Sequence, residues 1–162
     1  VPNLFMNNGA GKFTDAATAV GRGFAAPKIA RSVALGDYDR DGDLDVLITT
    51  NGGPALLYRN DVGNGNQSIR FPLMGRKSNR DAIGSVVQVH DALGRQTQMV
   101  KSGSSYLSSS DRALTFGVGL QKSVSKVVVT WPSGQTSEAQ SLPTGRTYRW
   151  IEGANPEPLD HR

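Results

Sequence analysis

The sequence predicts an all-β fold, and three observations carry that expectation. Hydrophobic side chains recur with a period of two in one segment after another. Turn markers separate those segments at short intervals. The 19 glycines and 8 prolines leave little room for long helices. A length of 162 residues suits one ordinary domain, or two small modules that share a core.

The elements follow in order. Leu4-Phe5-Met6-Asn7-Asn8-Gly9-Ala10-Gly11 aligns with Leu56-Leu57-Tyr58-Arg59-Asn60-Asp61-Val62-Gly63 at an offset of 52 residues. Each stretch reads as a short strand running into a turn of Asn, Asp and Gly, and repeats of this length are those of propeller blades. Only one full interval fits before residue 65, so the chain cannot close a propeller alone. Residues 14–20 have the form of one helical turn capped by Asp15. Residues 32–36 and 44–50 read as strands, the second with Leu44, Val46 and Ile48 on one face. Further strands are marked by Val87 and Val89, by Leu114, Phe116 and Val118, by Val127, Val129 and Trp131, and by Tyr148 and Trp150. Turns fall at Gly52-Gly53-Pro54, Gly63-Asn64-Gly65, Leu93-Gly94, Pro132-Ser133-Gly134 and Pro143-Thr144-Gly145. Such spacing suits a β-sandwich or barrel. The last nine residues, 154–162, carry two prolines and read as a frayed tail.

Composition excludes several classes. There are no cysteines, so disulfides, zinc–thiolate sites and cysteine nucleophiles are out. No apolar run exceeds the four residues from Ala55 to Tyr58, far short of the roughly 20 that a membrane-spanning helix needs. The chain opens at Val1 without a basic-then-apolar leader, as expected of a mature or excised fragment. The formal net charge is +4, but residues 37–45 alone sum to −4 and leave +8 elsewhere. Those bases are scattered, with Arg76, Lys77 and Arg80 the nearest thing to a cluster. A soluble basic surface is therefore the reading, not a nucleic-acid interface.

The strongest chemical signal is Asp37-Tyr38-Asp39-Arg40-Asp41-Gly42-Asp43-Leu44-Asp45. Carboxylates at every second position repel one another, and a hard cation relieves that repulsion. Ca²⁺ takes six to eight oxygen ligands at about 2.3–2.6 Å. The first half fits the loop signature D-x-[DN]-x-[DN]-G, with Gly42 where the chain turns sharply. The twelfth position falls on Ile48 where an EF-hand has Glu, and the flanks read as strands. The expectation is a strand–loop–strand calcium site. It uses the side chains of Asp37, Asp39, Asp41 and Asp45 and the backbone carbonyl of Asp43. Mg²⁺ fits less well because it dehydrates reluctantly and takes few protein ligands. A site so rich in protein ligands is structural, since few positions remain for a substrate.

Catalytic constellations are weak by comparison. His90 and His161 are the only histidines, and no G-x-S-x-G elbow occurs. His90 reads as a surface residue at a strand end. Glu138, Glu152 and Glu157 are the only glutamates, and nothing pairs them for glycoside hydrolysis. Residues 102–110 are hydroxyl-rich with Tyr106 and Leu107 among them. They read as a loop and strand edge with local hydrogen bonds, or as a sugar- or peptide-binding surface. Asn79-Arg80-Asp81 reads as a turn, with Arg80 and Asp81 available for an ion pair between strands or modules. Tyr148 and Trp150 read as core. Lys28, Lys101 and Lys126 lie near apolar stretches and are candidates for an autocatalytic amide cross-link.

Two stretches carry a family resemblance. Ser32-Val33-Ala34-Leu35-Gly36-Asp37-Tyr38-Asp39, Asp45-Val46-Leu47-Ile48 and Leu57-Tyr58-Arg59-Asn60 resemble an FG-GAP/VCBS repeat, the calcium-loop blade of integrin α propellers and many bacterial surface proteins. Residues 4–13 resemble the tail of a preceding blade. Gly75-Arg76-Lys77-Ser78-Asn79-Arg80-Asp81-Ala82-Ile83-Gly84, Ser102-Gly103-Ser104-Ser105-Tyr106-Leu107-Ser108-Ser109-Ser110-Asp111, Phe116-Gly117-Val118-Gly119 and Val129-Thr130-Trp131-Pro132-Ser133-Gly134 resemble an ASPIC/UnbV domain. That order is similar to the cartilage acidic protein family and its bacterial relatives. The resemblance implies secretion, calcium binding and a role in adhesion or matrix interaction, without defined catalysis.

The expected architecture is all-β. A truncated propeller-type calcium blade over residues 1–65 packs on a sandwich- or barrel-like ASPIC/UnbV domain over residues 66–153, followed by a flexible tail at 154–162. The expected function is that of a calcium-stabilised, non-catalytic interaction or adhesion module, secreted or at the cell surface. Its partner is expected to be an extracellular protein or glycan, with no nucleic acid and no membrane span. Open strand edges offer a route to self-association. A calcium-dependent carbohydrate-binding module is the alternative, and a hydrolase the second alternative.

Overall fold

Period-two patterning becomes strands throughout the chain. A computed structural model describes residues 2–61, 65–92 and 94–159. The elements are β1 (Phe5–Asn7), β2 (Phe13–Asp15), one helical turn α1 (Arg22–Ala25), β3 (Ala30–Gly36), β4 (Asp45–Thr50), β5 (Leu56–Tyr58), β6 (Gln67–Phe71), β7 (Leu73–Met74), β8 (Val86–Asp91), β9 (Gly94–Met99), β10 (Leu114–Gly119), β11 (Ser123–Thr130), β12 (Thr136–Pro143), β13 (Arg146–Ile151) and β14 (Glu157–Leu159). The fold is all-β, as the alternation predicts. No helix among the described residues is long and apolar enough to cross a membrane.

Among the described residues the strands form four sheets. β1 and β2 make a hairpin, and β3-β4-β5 make an antiparallel sheet of three. The second half holds two larger sheets, ordered β10-β6-β13-β14 and β12-β11-β8-β9, with β7 also paired to β13. Pro72 separates β6 from β7, because proline has no N–H to give the ladder. Its carbonyl still accepts Trp150 N–H at 3.1 Å.

Alternation puts the hydrophobic faces of these two sheets together. Ile69, Phe71, Val87, Val89, Phe116, Val118, Val127, Val129 and Trp150 are all fully buried in one core. Phe71 is its hub, with ring centroids of Phe116, Tyr148 and Trp150 each 6.1 Å away. Tyr148 and Trp150 are therefore core residues, as read. Among the described residues the sheets do not close into a barrel. Where β9 and β10 face each other, the Gln96 and Gln98 side chains donate to the Gly117 and Thr115 carbonyls at 2.7 and 2.8 Å. Side-chain amides there stand in for a backbone ladder.

Two local expectations are corrected, and a third is extended. Residues 14–20 do not form a helix. Thr14 and Asp15 belong to β2, and Asp15 Oδ1 accepts Ala17 N–H at 2.9 Å to start a turn. The helical turn comes later, at Arg22–Ala25. The tail is not frayed where it is described. Glu157–Leu159 form β14 against β13, because that outer edge offers unpaired backbone groups. Residues 160–162, including His161, lie outside the described residues. So do Val1, the repeat positions Val62 and Gly63, Asn64 of the following turn, and Leu93. The loop 102–110 keeps the local hydrogen bonds expected of it, Ser109 Oγ donating to the Ser110 carbonyl at 3.2 Å, and adds long-range ones. Ser105 and Ser110 hydroxyls accept the N–H groups of Val33 and Leu35 at 3.3 and 3.1 Å. Ser108 Oγ donates to the Val33 carbonyl at 2.9 Å, and Asp111 N–H to the Leu35 carbonyl at 2.8 Å. This loop caps the outer edge of β3 and joins the two halves of the chain.

Candidate metal centre

The aspartate loop connects β3 to β4 in an antiparallel hairpin with Gly36 opposite Asp45. That pairing brings the two ends of the loop together. Two left-handed residues, Arg40 at φ 64° and Gly42 at φ 99°, fold the chain between them. A Cβ on Gly42 would come within 3.1 Å of Ser68 Oγ, so glycine suits both the backbone angle and the space. Asp41 Oδ1 accepts Asp43 N–H at 2.9 Å and tightens the turn.

Asp37, Asp39 and Asp45 each present a carboxylate oxygen within 4.8 Å of the others. Ligands on opposite sides of a calcium ion lie at most about 5 Å apart. The group is therefore the right size for one cation. Asp45 is buried and is held by two backbone donors, Tyr38 N–H at 3.0 Å and Asn60 N–H at 2.9 Å. It thereby ties the loop to the end of β5. Asp37 is more telling. Its side chain is only 3% exposed, and Oδ1 has no hydrogen-bond partner among the described residues. A buried, unpartnered carboxylate oxygen costs free energy unless a cation satisfies it. The all-oxygen donor set and this orphaned atom fit a hard divalent ion.

The remaining predicted ligands divide. Asp41 groups with Asp39 and Asp61, and Asp39 belongs to both sets. The Asp43 carboxylate joins neither set. Its pKa is raised by burial first, and then by Asp41, Asp37, Asp45 and Asp39. This is the like-charge repulsion that the spacing implies. The second set is exposed and already has a counter-charge. Arg59 Nε lies 2.6 Å from Asp61 Oδ1 and 3.9 Å from Asp39 Oδ2.

Sequence reasoning missed Asp61 and Arg70. Asp61 sits in the Asn-Asp turn of the repeat and was legible only as a turn residue. Arg70 lies on β6, with Nη1 3.6 Å from Asp37 Oδ2 and Nη2 hydrogen-bonded to Asp111. Nothing in its neighbourhood in the sequence signals either contact. Arg40, Arg70 and Arg146 line, together with the aspartates, a polar cleft of about 530 Å³ beside the loop.

The other candidates meet the following partners among the described residues. His90 faces Arg95 and Lys126 in the strand register. Asp81 pairs with Arg112 at 2.8 Å, while Asn79 closes its turn on Ile83 through both amide atoms. Lys126 pairs with Glu138 at 2.7 Å, and Lys28 Nζ bonds the Gly23 carbonyl and Tyr58 hydroxyl. Neither arrangement is that of an amide cross-link.

Against known families, residues 75–157 match the one described as ASPIC and UnbV. Residues 2–48 match an FG-GAP-like repeat. No curated protein matches the chain.

Proposed function

This chain belongs to the ASPIC and UnbV family, and on that premise we propose that it is a calcium-stabilised, non-catalytic interaction module of a secreted or surface protein. The observation that carries the reading is Asp37 Oδ1, buried beside two further carboxylates and without a hydrogen-bond partner among the described residues. Asp37, Asp39 and Asp45 would hold the ion, with Asp41 and the Asp43 carbonyl completing the set. When bound, calcium supplies positive charge that offsets the repulsion within the loop. The chain's own part is to preorganise the oxygens. Asp45 does this by fixing the backbone at Tyr38 and Asn60.

An ion held by so many protein oxygens acts on stability, not on turnover. Its partner is an extracellular protein or glycan. β5 ends its sheet, so a second copy could also add there. The test is a thermal melt in about 2 mM calcium, a level that fills even weak extracellular sites, against the same protein in chelator. Calcium at 100 times Kd adds about 2.7 kcal/mol, or roughly 5–10 °C for a chain of this size. Asp37→Asn is expected to lose that rise. An equal melting point with and without calcium in the unsubstituted protein would overturn the reading.

A further inference from the structure

β6 alternates between two environments. Ile69 and Phe71 are fully buried in the sandwich core. Ser68 and Arg70, on the opposite face, meet the aspartate loop. Ser68 Oγ donates to the Gly42 carbonyl at 2.8 Å, across 26 positions of sequence. Arg70 stands 3.6 Å from Asp37 Oδ2 and is hydrogen-bonded to Asp111 through its other terminal nitrogen. Asp111 in turn donates its backbone N–H to the Leu35 carbonyl at 2.8 Å, two residues before Asp37. Asp111 Oδ1 also accepts Ala113 N–H at 3.0 Å, so the carboxylate is fixed at both oxygens. Asp37, Arg70, Asp111 and Leu35 form a closed ring across the joint between the two halves.

The oxygens of Asp37 are divided within this ring. Oδ2 faces Arg70, and Oδ1 has no hydrogen-bond partner among the described residues. Arg70 therefore orients the carboxylate without occupying the atom that a cation would take. We propose that Ser68 and Arg70 are positioning residues of the cation loop, supplied by strand β6 of the second half of the chain, and that loading the loop tightens the joint at Asp111. This rests on the calcium reading above. The physical argument is linkage. A restraint placed on Asp37 is shared by every member of the ring, and tightening the ring must in return strengthen cation binding. The planar fork of arginine is what lets one side chain engage two carboxylates, and the single ammonium of lysine cannot reproduce it.

The experiment is amide hydrogen exchange, read by NMR on the full chain, with calcium and with chelator. Calorimetry of calcium binding runs alongside. In the unsubstituted protein, calcium is expected to slow exchange at the Tyr38 and Asn60 amides and also, by about tenfold, at the Asp111 amide. Arg70→Gln and Arg70→Lys are expected to bind calcium more weakly and, at saturating calcium, still to protect Tyr38 and Asn60, yet to leave Asp111 within about twofold of its chelator rate. A globally weakened variant would speed exchange everywhere and in both conditions, so the calcium-dependent difference isolates the positioning role. Calcium binding that protects Tyr38 and Asn60 but leaves Asp111 unchanged in the unsubstituted protein overturns this inference and leaves the calcium reading intact. Absence of calcium binding by calorimetry overturns both. Full recovery of the Asp111 effect in Arg70→Lys overturns the role given to the arginine fork.

Discussion

Glu152 and Ser78 stand 74 positions apart, yet one carboxylate of Glu152 takes both the backbone N–H of Ser78, at 2.8 Å, and its hydroxyl, at 3.0 Å. The same Oε2 accepts the N–H groups of Arg76 and Lys77 at 2.8 Å each, and Ser133 Oγ donates to Oε1. Three successive amides point at one anion, and the anion is the protein's own. Gly75, just before them, has no room for a side chain, since a Cβ would lie 2.2 Å from the Asn79 carbonyl oxygen. The cradle locks the 75–79 loop and the Pro132-Ser133-Gly134 turn onto the end of β13.

This cradle sets an acid limit to stability. Burial alone would raise the Glu152 pKa. Hydrogen bonds from the Ser133 hydroxyl, the Ser78 and Arg76 amides and the Ser78 hydroxyl outweigh it and hold the carboxyl at about 2, below the ordinary 4.5. A depressed pKa contributes stability above the unfolded value, and that contribution fades as pH falls from about 4.5 towards about 2. Glu152→Gln is expected to melt roughly 5–10 °C lower at pH 7. Its melting point should approach that of the unsubstituted protein as the pH falls through that window. A constant gap from pH 7 to pH 2 would refute the assignment.

Asp43 gives the opposite sign. Its pKa is raised by burial and by four neighbouring aspartates. Neutralising it removes repulsion in the empty loop. Asp43→Asn is expected to raise the melting point in chelator by about 1–3 °C, and to retain calcium binding if, as proposed, Asp43 contributes its backbone carbonyl. Loss of calcium binding in calorimetry would show that the side chain is a ligand.

Core packing makes a larger prediction. Phe71 is fully buried and stands 6.1 Å from three aromatic rings. Phe71→Ala is expected to cost about 3–5 kcal/mol in denaturant unfolding. A cost below about 1 kcal/mol would mean that the two sheets do not share this core.

Leu107 is 89% exposed and has φ 48°. A leucine there carries backbone strain and buries almost nothing in return. Leu107→Asn is expected to raise the melting point by about 2–4 °C, because asparagine tolerates the left-handed region. A drop would show that the leucine makes a stabilising contact.

Deletion after Gly153 tests the last strand. β14 covers the outer edge of β13, and Ala154 accepts the Trp150 indole N–H at 2.9 Å. Removal is expected to lower the melting point by several degrees and to speed exchange at the Thr147 and Arg149 amides. Unchanged exchange at both positions would argue that the segment adds nothing to the sheet.

The sequence by itself determined the class of the fold and the place of the acidic loop. Both are local codes. Val87 with Val89, Val127 with Val129, and Leu114 with Phe116 and Val118 alternate at two residues, and a strand turns that spacing directly into a buried face. The carboxylates from Asp37 to Asp45 carry their chemistry within nine positions. Only the tertiary structure decided which groups those elements meet. Arg70 reaches Asp111 across 41 positions, the serines of 105–110 cover β3 across more than 70, and Glu152 finds its amides at a similar distance. No short-range pattern encodes such contacts, because they arise where strand order and register bring distant segments together. The tail shows the same limit. Two prolines and few apolar residues read as a frayed tail, but the unpaired edge of β13 gave residues 157–159 a ladder to join.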